Sequence, residues 1–132
     1  MPATPGEPIL TSVSSFSIDH DGIITVATNP GAVLTESSVE EGVRAGAALI
    51  AGGAPAPLVW DAREIGGVEP GARARMVADW PRLLKAAAIV GGRPLSRRIV
   101  DVFISLSRTS IPVAVFEDLD EAKDWARTFL SA

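Results

Sequence analysis

The sequence contains no cysteine and no tyrosine, and it has a single histidine, His20. The lack of cysteine excludes disulfides, thiol nucleophiles and cysteine-ligated zinc. One histidine and no acidic run with the spacing of a calcium loop leave little to ligate a metal, so we expect no metal and no other cofactor. His20 falls in a predicted hairpin turn with no visible partner for its ring, so we expect no catalytic role for it.

Long apolar runs are also missing from the 132 residues. No stretch approaches the roughly 18 residues that a membrane helix requires, and the first residues lack the basic and apolar regions of a signal peptide. We therefore expect a cytoplasmic protein that is not inserted in a membrane. The prolines of "MPATPGEP" predict a flexible tail over residues 1–12, followed by a single domain over residues 13–132.

The net charge of −4 is unevenly distributed along the chain. Residues 1–62 carry seven acidic and one basic side chain (−6), residues 63–98 carry three acidic and eight basic (+5), and residues 99–132 carry six acidic and three basic (−3). The basic middle segment either attracts an anionic ligand or partner, or pairs with acids of the same chain. An acidic protein without a Lys/Arg block is poorly suited to nucleic acid, and we expect no nucleic-acid binding.

The apolar pattern predicts an α/β fold. Two short β-type runs flank Asp21-Gly22, a pair of residues typical of a tight hairpin turn. Helical patterns then alternate with "APLVWDA", "AAAIVG" and "IPVAVFED", which are typical of strands buried on both faces. Strands that alternate with single helices pair in parallel. We therefore predict one mixed, mostly parallel β-sheet with an N-terminal hairpin and four helices, in the order β-β-α-β-α-β-α-β-α.

Four blocks of turn and core residues cover nearly all of the chain after the tail: Asp21 to Leu34, Pro57 to Arg75, Ala88 to Phe103, and Pro112 to Trp125. Together they resemble the STAS domain, the family of the bacterial anti-sigma-factor antagonists, and most closely an uncharacterised bacterial branch of STAS- or CRAL-TRIO-like proteins. The resemblance implies a domain that binds protein partners, or in some members nucleotides or lipids. In the antagonists, a serine after the strand matching "LVWDA" is phosphorylated by a partner kinase. The matching loop here, "REIGGVEPGARA", contains no serine or threonine, so we do not expect that switch.

In an open parallel sheet, ligands bind beyond the carboxyl ends of the strands. Polar residues follow three predicted strands at this edge, and from them we select six candidate ligand-binding residues: Asp61, Arg63, Arg73, Arg93, Ser96 and Arg97. The stretch "GGRPLSRR" offers free amides and arginines for an anion. It lacks the spacing of a phosphate loop, and its plainer interpretation is a turn into a helix over residues 95–108, with Pro94 in the first helical turn.

These observations lead to three hypotheses of function. The first is a non-enzymatic STAS-like regulatory or protein-interaction module, which forms a homodimer or larger homo-oligomer and binds a regulatory protein partner. The alternative is a protein that binds a small anionic or lipid-like ligand at the strand ends. The third is an enzyme that uses Asp61 with Arg63 or Arg73. We name no catalytic residue, because Asp61 is expected to pair with an arginine and Ser96 has no histidine nearby to activate it.

Overall fold

The computed structural model describes residues 8–130. Within them the strands are β1 (Ile9–Leu10), β2 (Ser14–Ile18), β3 (Ile24–Thr28), β4 (Val33–Leu34), β5 (Ala56–Asp61), β6 (Gly67–Val68), β7 (Leu84–Val90) and β8 (Val113–Phe116). The helices are α1 (Glu36–Ile50), α2 (Pro70–Leu83), α3 (Arg97–Ser107) and α4 (Leu119–Arg127). The α/β prediction is confirmed, including the hairpin and the four helices. Strands β1, β4 and β6 were not predicted, because two residues are too few to show a period.

Six strands form the main sheet, in the order β1-β2-β3-β5-β7-β8. β1, β2 and β3 pair antiparallel, whereas β3, β5, β7 and β8 pair parallel. β4 and β6 form a separate two-stranded parallel ladder. β1 lies inside the segment that the sequence predicted as a tail, and residues 1–7 of that segment lie outside the described residues.

Helices cover both faces of the sheet, which explains the continuous apolar runs of β5 and β7. On one face, α1, α2 and α3 pack over a core that includes Leu58 and Trp60 of β5. On the other face, α4 buries Ala122 and Ala126 against Val59 and its neighbours. No helix within residues 8–130 is long and apolar enough to cross a membrane.

Side chains cap the N-terminal ends of helices α1 and α4. The Thr35 hydroxyl accepts the main-chain N–H of Ser38 at 3.1 Å, and the Ser38 hydroxyl accepts that of Thr35 at 2.8 Å, which closes a capping box at the start of α1. The carboxylate of Asp118 caps α4 by accepting the main-chain N–H of Glu121 at 3.0 Å. Pro81 lies in the last turn of α2, where its missing N–H removes one helical hydrogen bond, and β7 follows α2 without a loop.

Candidate functional site

The parallel strands β5, β7 and β8 end at the same edge of the sheet. An ion pair between Asp61 and Arg63 lies at the end of β5. Asp61, the last residue of β5, accepts Nε of Arg63 at 2.9 Å and Nη2 at 2.8 Å. It also accepts the main-chain N–H of Arg63 at 3.3 Å. These hydrogen bonds hold the pKa of Asp61 below its ordinary value of 3.8, although partial burial acts in the opposite direction. A carboxylate stabilised in its ionised form is a weak general base at neutral pH.

A second ion pair bridges the ends of β7 and β8. Arg93, in the loop after β7, donates to the carboxylate of Glu117, the residue that follows β8, and its Nε lies 3.1 Å from Oε2. This hydrogen bond raises the pKa of Arg93. Both side chains are exposed, so the pair contributes little to stability. Its consequence is that the charge of Arg93 is already balanced within the chain.

Ser96 starts helix α3. Its hydroxyl accepts the main-chain N–H of Ile99 at 3.3 Å, as an N-cap residue does. The prediction that this helix spans residues 95–108 with Pro94 in its first turn is therefore wrong. The helix begins at Arg97, because the serine cap lies two residues after the proline. The segment "GGRPLSRR" turns the chain from β7 into α3, and Gly92 takes a positive φ of 73° within that turn.

Arginines from two helices gather around an open pocket between α2 and α3, which we call the basic pocket. It has a volume of about 350 Å³ and is lined by Val68, Arg73, Arg97, Arg98 and Asp101. Nε of Arg97 lies 3.2 Å from Oδ1 of Asp101. Within residues 8–130, Arg73 and Arg98 form no ion pair. Three arginines and one aspartate therefore line the pocket, which is net positive.

The structure divides the six candidate residues into separate groups. Asp61, Arg63 and Arg93 take part in the ion pairs over the strand ends, Arg73 and Arg97 line the basic pocket, and Ser96 serves as a helix cap. The sequence-based selection missed Arg98. Its place beside Arg97 in a doubled arginine was the available signal, because both lie in the first turn of α3.

A small apolar cavity lies between the sheet and helices α1 and α2. Its volume is about 40 Å³, and most of its lining is apolar, with Phe16 and Met76 among the contributors. At its polar side, Thr28 Oγ1 accepts the indole N–H of Trp60 at 2.9 Å and lies 2.9 Å from the Ser14 hydroxyl. Pockets that hold drug-sized ligands measure roughly 300–1,000 Å³. The cavity is therefore far too small for a lipid-like molecule.

The sequence analysis also missed this buried polar cluster. Ser14 and Thr28 are directly paired across the hairpin of β2 and β3. Counting outward from a two-residue turn at Asp21-Gly22 sets Thr28 opposite Ser15, whereas the observed register is shifted by one residue and sets it opposite Ser14. As for metals, residues 8–130 contain no group of three or more His, Cys, Asp or Glu side chains arranged to hold an ion.

Comparison with known proteins identifies the fold. One similar solved structure is an uncharacterised protein of the DUF3478 family with a SpoIIAA-like fold from Shewanella loihica PV-4, with a TM-score of 0.62 and 17% identity over 94% of this chain and 98% of the other. Another is an anti-sigma factor antagonist from Mycobacterium paratuberculosis, with a TM-score of 0.60 and 19% identity over 95% and 98% of the two chains. At these identities the likeness concerns the fold, and it confirms the STAS-like prediction.

No curated protein is significantly similar to this chain in sequence. Residues 16–130, from strand β2 to the last described residue, match the domain of unknown function DUF7793. This match covers most of the chain and all four helices. The chain therefore belongs to the DUF7793 family, whose domain here has the STAS-like fold of the anti-sigma-factor antagonists.

Proposed function

We propose that the single domain predicted over residues 13–132 is a non-enzymatic regulatory module that binds a protein partner in the cytoplasm. The basic pocket is the surface that receives an acidic segment of this partner. The observation that carries the proposal is the contrast between the two groups of arginines. Arg63 and Arg93 are paired with carboxylates at the strand ends, whereas the guanidinium groups of the basic pocket outnumber their carboxylate by three to one.

Guanidinium groups suit this role because they bind carboxylates in a bidentate manner and remain charged at every physiological pH. The pocket is open and lies between two helices, so a peptide segment reaches it without any movement of the fold. The chain as a whole carries a charge of −4. A local positive pocket on an acidic protein orients a partner as it approaches and favours one docking position over others. The fold shared with an anti-sigma factor antagonist supports a protein as the ligand.

The state of Asp61 supports a binding role over the enzymatic hypothesis. Its carboxylate accepts three hydrogen bonds from Arg63, and these bonds lower its pKa. The candidate nucleophile, Ser96, is engaged as a helix cap. Regulation by phosphorylation in the loop between β5 and α2 finds no support either, because residues 62–69 contain no hydroxyl side chain.

The test is an affinity capture from the source cells with the full chain as bait in three forms. These are the wild type, the double variant Arg73→Glu/Arg98→Glu, and the control Arg44→Glu/Lys123→Glu, which changes the net charge equally at cations outside the pocket. We expect one protein to be retained by the wild type and the control, and at least tenfold less of it by the pocket variant. Titration of that purified protein should then show binding that weakens with salt.

Two outcomes would contradict the proposal. The first is equal retention of every protein by all three baits. The second is a small ligand, such as inorganic phosphate, a nucleotide or a fatty acid, that raises the melting temperature of the wild type but not of the pocket variant. A ligand that binds only the folded state raises the melting temperature in this way. That result would favour the alternative of a small-ligand binding protein.

A further inference from the structure

Strand β8 is an open edge of the main sheet. It is the last strand in the sheet order and pairs only with β7 among the described residues. All four of its residues, Val113–Phe116, are partly exposed, whereas β7 is almost entirely buried. Natural sheets protect such edges with charged residues, prolines or bulges. The segment Val113–Phe116 contains none of these, and its only nearby protection is Pro112 at its start.

The hydrogen bonds to β7 show which main-chain groups point outward. Ala87 donates to the carbonyl of Pro112 at 3.0 Å, and Gly91 donates to the carbonyl of Phe116 at 2.9 Å. Even-numbered residues of β8 therefore face β7 in the parallel ladder. Val113 and Val115 direct their N–H and C=O groups to the open side, and within residues 8–130 these groups have no other hydrogen-bond partner.

The outward N–H and C=O groups of one β8 strand can pair with those of a second β8 strand. If two β8 strands meet antiparallel about a two-fold axis at Ala114, Val113 of each copy faces Val115 of the other. Both residues present N–H and C=O outward, so each facing pair exchanges two hydrogen bonds and the two strands form four. A two-fold axis needs the same patch to fit itself, and this edge satisfies that condition in its main chain.

Apolar side chains border the edge on both faces of the sheet. Helix α3 packs beside β8, and its apolar residues outside the buried core are Val100, Phe103 and Ile104. The Ile104 side chain is 43% exposed, and Leu95, which approaches Gly91 beside β8, is 45% exposed. On the other face, Phe116 of β8 packs against Trp125 of α4, with ring centroids 5.7 Å apart, and both are partly exposed.

The charges near β8 are also complementary when the strands run antiparallel. The exposed Arg108 precedes β8, whereas the exposed Asp118 and Asp120 follow it. An antiparallel pair places the basic end of each strand beside the acidic end of the other, which favours a second copy of this chain as the occupant. We infer that the protein forms a homodimer through its β8 edges, with the two sheets joined into one. This surface is separate from the basic pocket, so each proposal stands or fails independently.

Sedimentation of the full chain from about 1 µM to about 500 µM, a range that brackets ordinary protein–protein affinities, tests the inference. The wild type should pass from monomer to dimer. Val113→Lys should raise the dimer dissociation constant by at least tenfold, because Val113 faces Val115 of the other copy and occurs twice in a symmetric interface. Val33→Lys is the control, since Val33 is 46% exposed and lies on β4, outside the main sheet. Arg108→Glu should also weaken the dimer.

Amide hydrogen exchange locates the contact. In concentrated solution the amides of Val113 and Val115 should be protected, and dilution to the monomer should speed their exchange. The amide of Ala114, which faces β7, should stay protected at both concentrations and serves as the internal reference. The inference is overturned by a monomer at every concentration, by a dimer in which dilution leaves Val113 and Val115 unchanged, or by equal weakening from Val113→Lys and Val33→Lys.

Discussion

Gly66 offers a sharp test of the packing, because a methyl group there meets main chain instead of a movable side chain. A Cβ atom at Gly66 would lie 2.2 Å from the carbonyl oxygen of Gly31 and 2.8 Å from its carbonyl carbon. At Gly67, the next residue, the nearest atoms are the methyl groups of Val33, at 3.7 and 3.8 Å. The same substitution one residue apart therefore gives a matched pair, with a clash at one position and an ordinary contact at the other.

The structure sets the size of the effect. Gly31 donates to the carbonyl of Glu64 at 2.8 Å, and Gly66 donates to that of Ala32 at 2.7 Å. Relieving the clash requires the two segments to separate by about 1 Å, which takes both bonds out of hydrogen-bonding range. At about 0.5–1.5 kcal/mol for each bond, with some residual strain, Gly66→Ala should lower the free energy of unfolding by about 2–3 kcal/mol. Gly67→Ala should change it by less than about 1 kcal/mol.

Urea unfolding followed by tryptophan fluorescence measures the difference. With a denaturant slope of about 2 kcal/mol per molar urea, Gly66→Ala should lower the unfolding midpoint by about 1–1.5 M, and Gly67→Ala by less than about 0.5 M. Equal midpoints for the two variants would refute the reasoning, because the two sites differ in the contacts that a new methyl group would make.

Two further predictions concern named hydrogen bonds. Thr28→Val leaves the buried indole N–H of Trp60 without its acceptor, so we expect the free energy of unfolding to fall by about 1–3 kcal/mol in urea titrations; an unchanged midpoint would show that the indole has another partner. Arg63→Gln removes the guanidinium that lowers the pKa of Asp61, so NMR titration of that carboxyl group should show its pKa rise. Because the lowered pKa belongs to the folded state, the pair stabilises the protein above the unfolded-state pKa, and this contribution is lost as pH falls through the folded-state pKa. The stability difference between the wild type and Arg63→Gln should therefore shrink below about pH 4, and a difference independent of pH would contradict this account.

The parts of the fold that sequence could predict are those with a repeating signal. The buried strands β5 and β7 appear as continuous apolar runs, because helices cover both of their faces. The hairpin between β2 and β3 was visible in Asp21-Gly22, since a tight turn requires specific residues. Strands β4 and β6 carry no such signal. They pair because the chain brings Val33 beside Gly67, a relation set by the whole fold.

Only some residues of the candidate site could be selected from the sequence. The rule that ligands bind beyond the strand ends led to Asp61, Arg63 and Arg93, which the structure shows as members of ion pairs at that edge. Which arginine pairs with which acid depended on distant elements, as the contact between Arg93 and Glu117, 24 residues apart, shows. Arg73 and Arg98 line one pocket because α2 and α3 pack side by side, and no local pattern reports the packing of two helices.

The small cavity beneath α1 and α2 has a consequence for the volume of the molecule. A void of about 40 Å³ amounts to about 24 mL for each mole of protein, which lies at the lower end of the volume decrease seen when proteins unfold under pressure. Compression therefore acts against the folded form at this site, because water fills the space once the helices part from the sheet. The packing is thus less complete where α1 and α2 meet the strands, whereas the centre of β7 is fully buried.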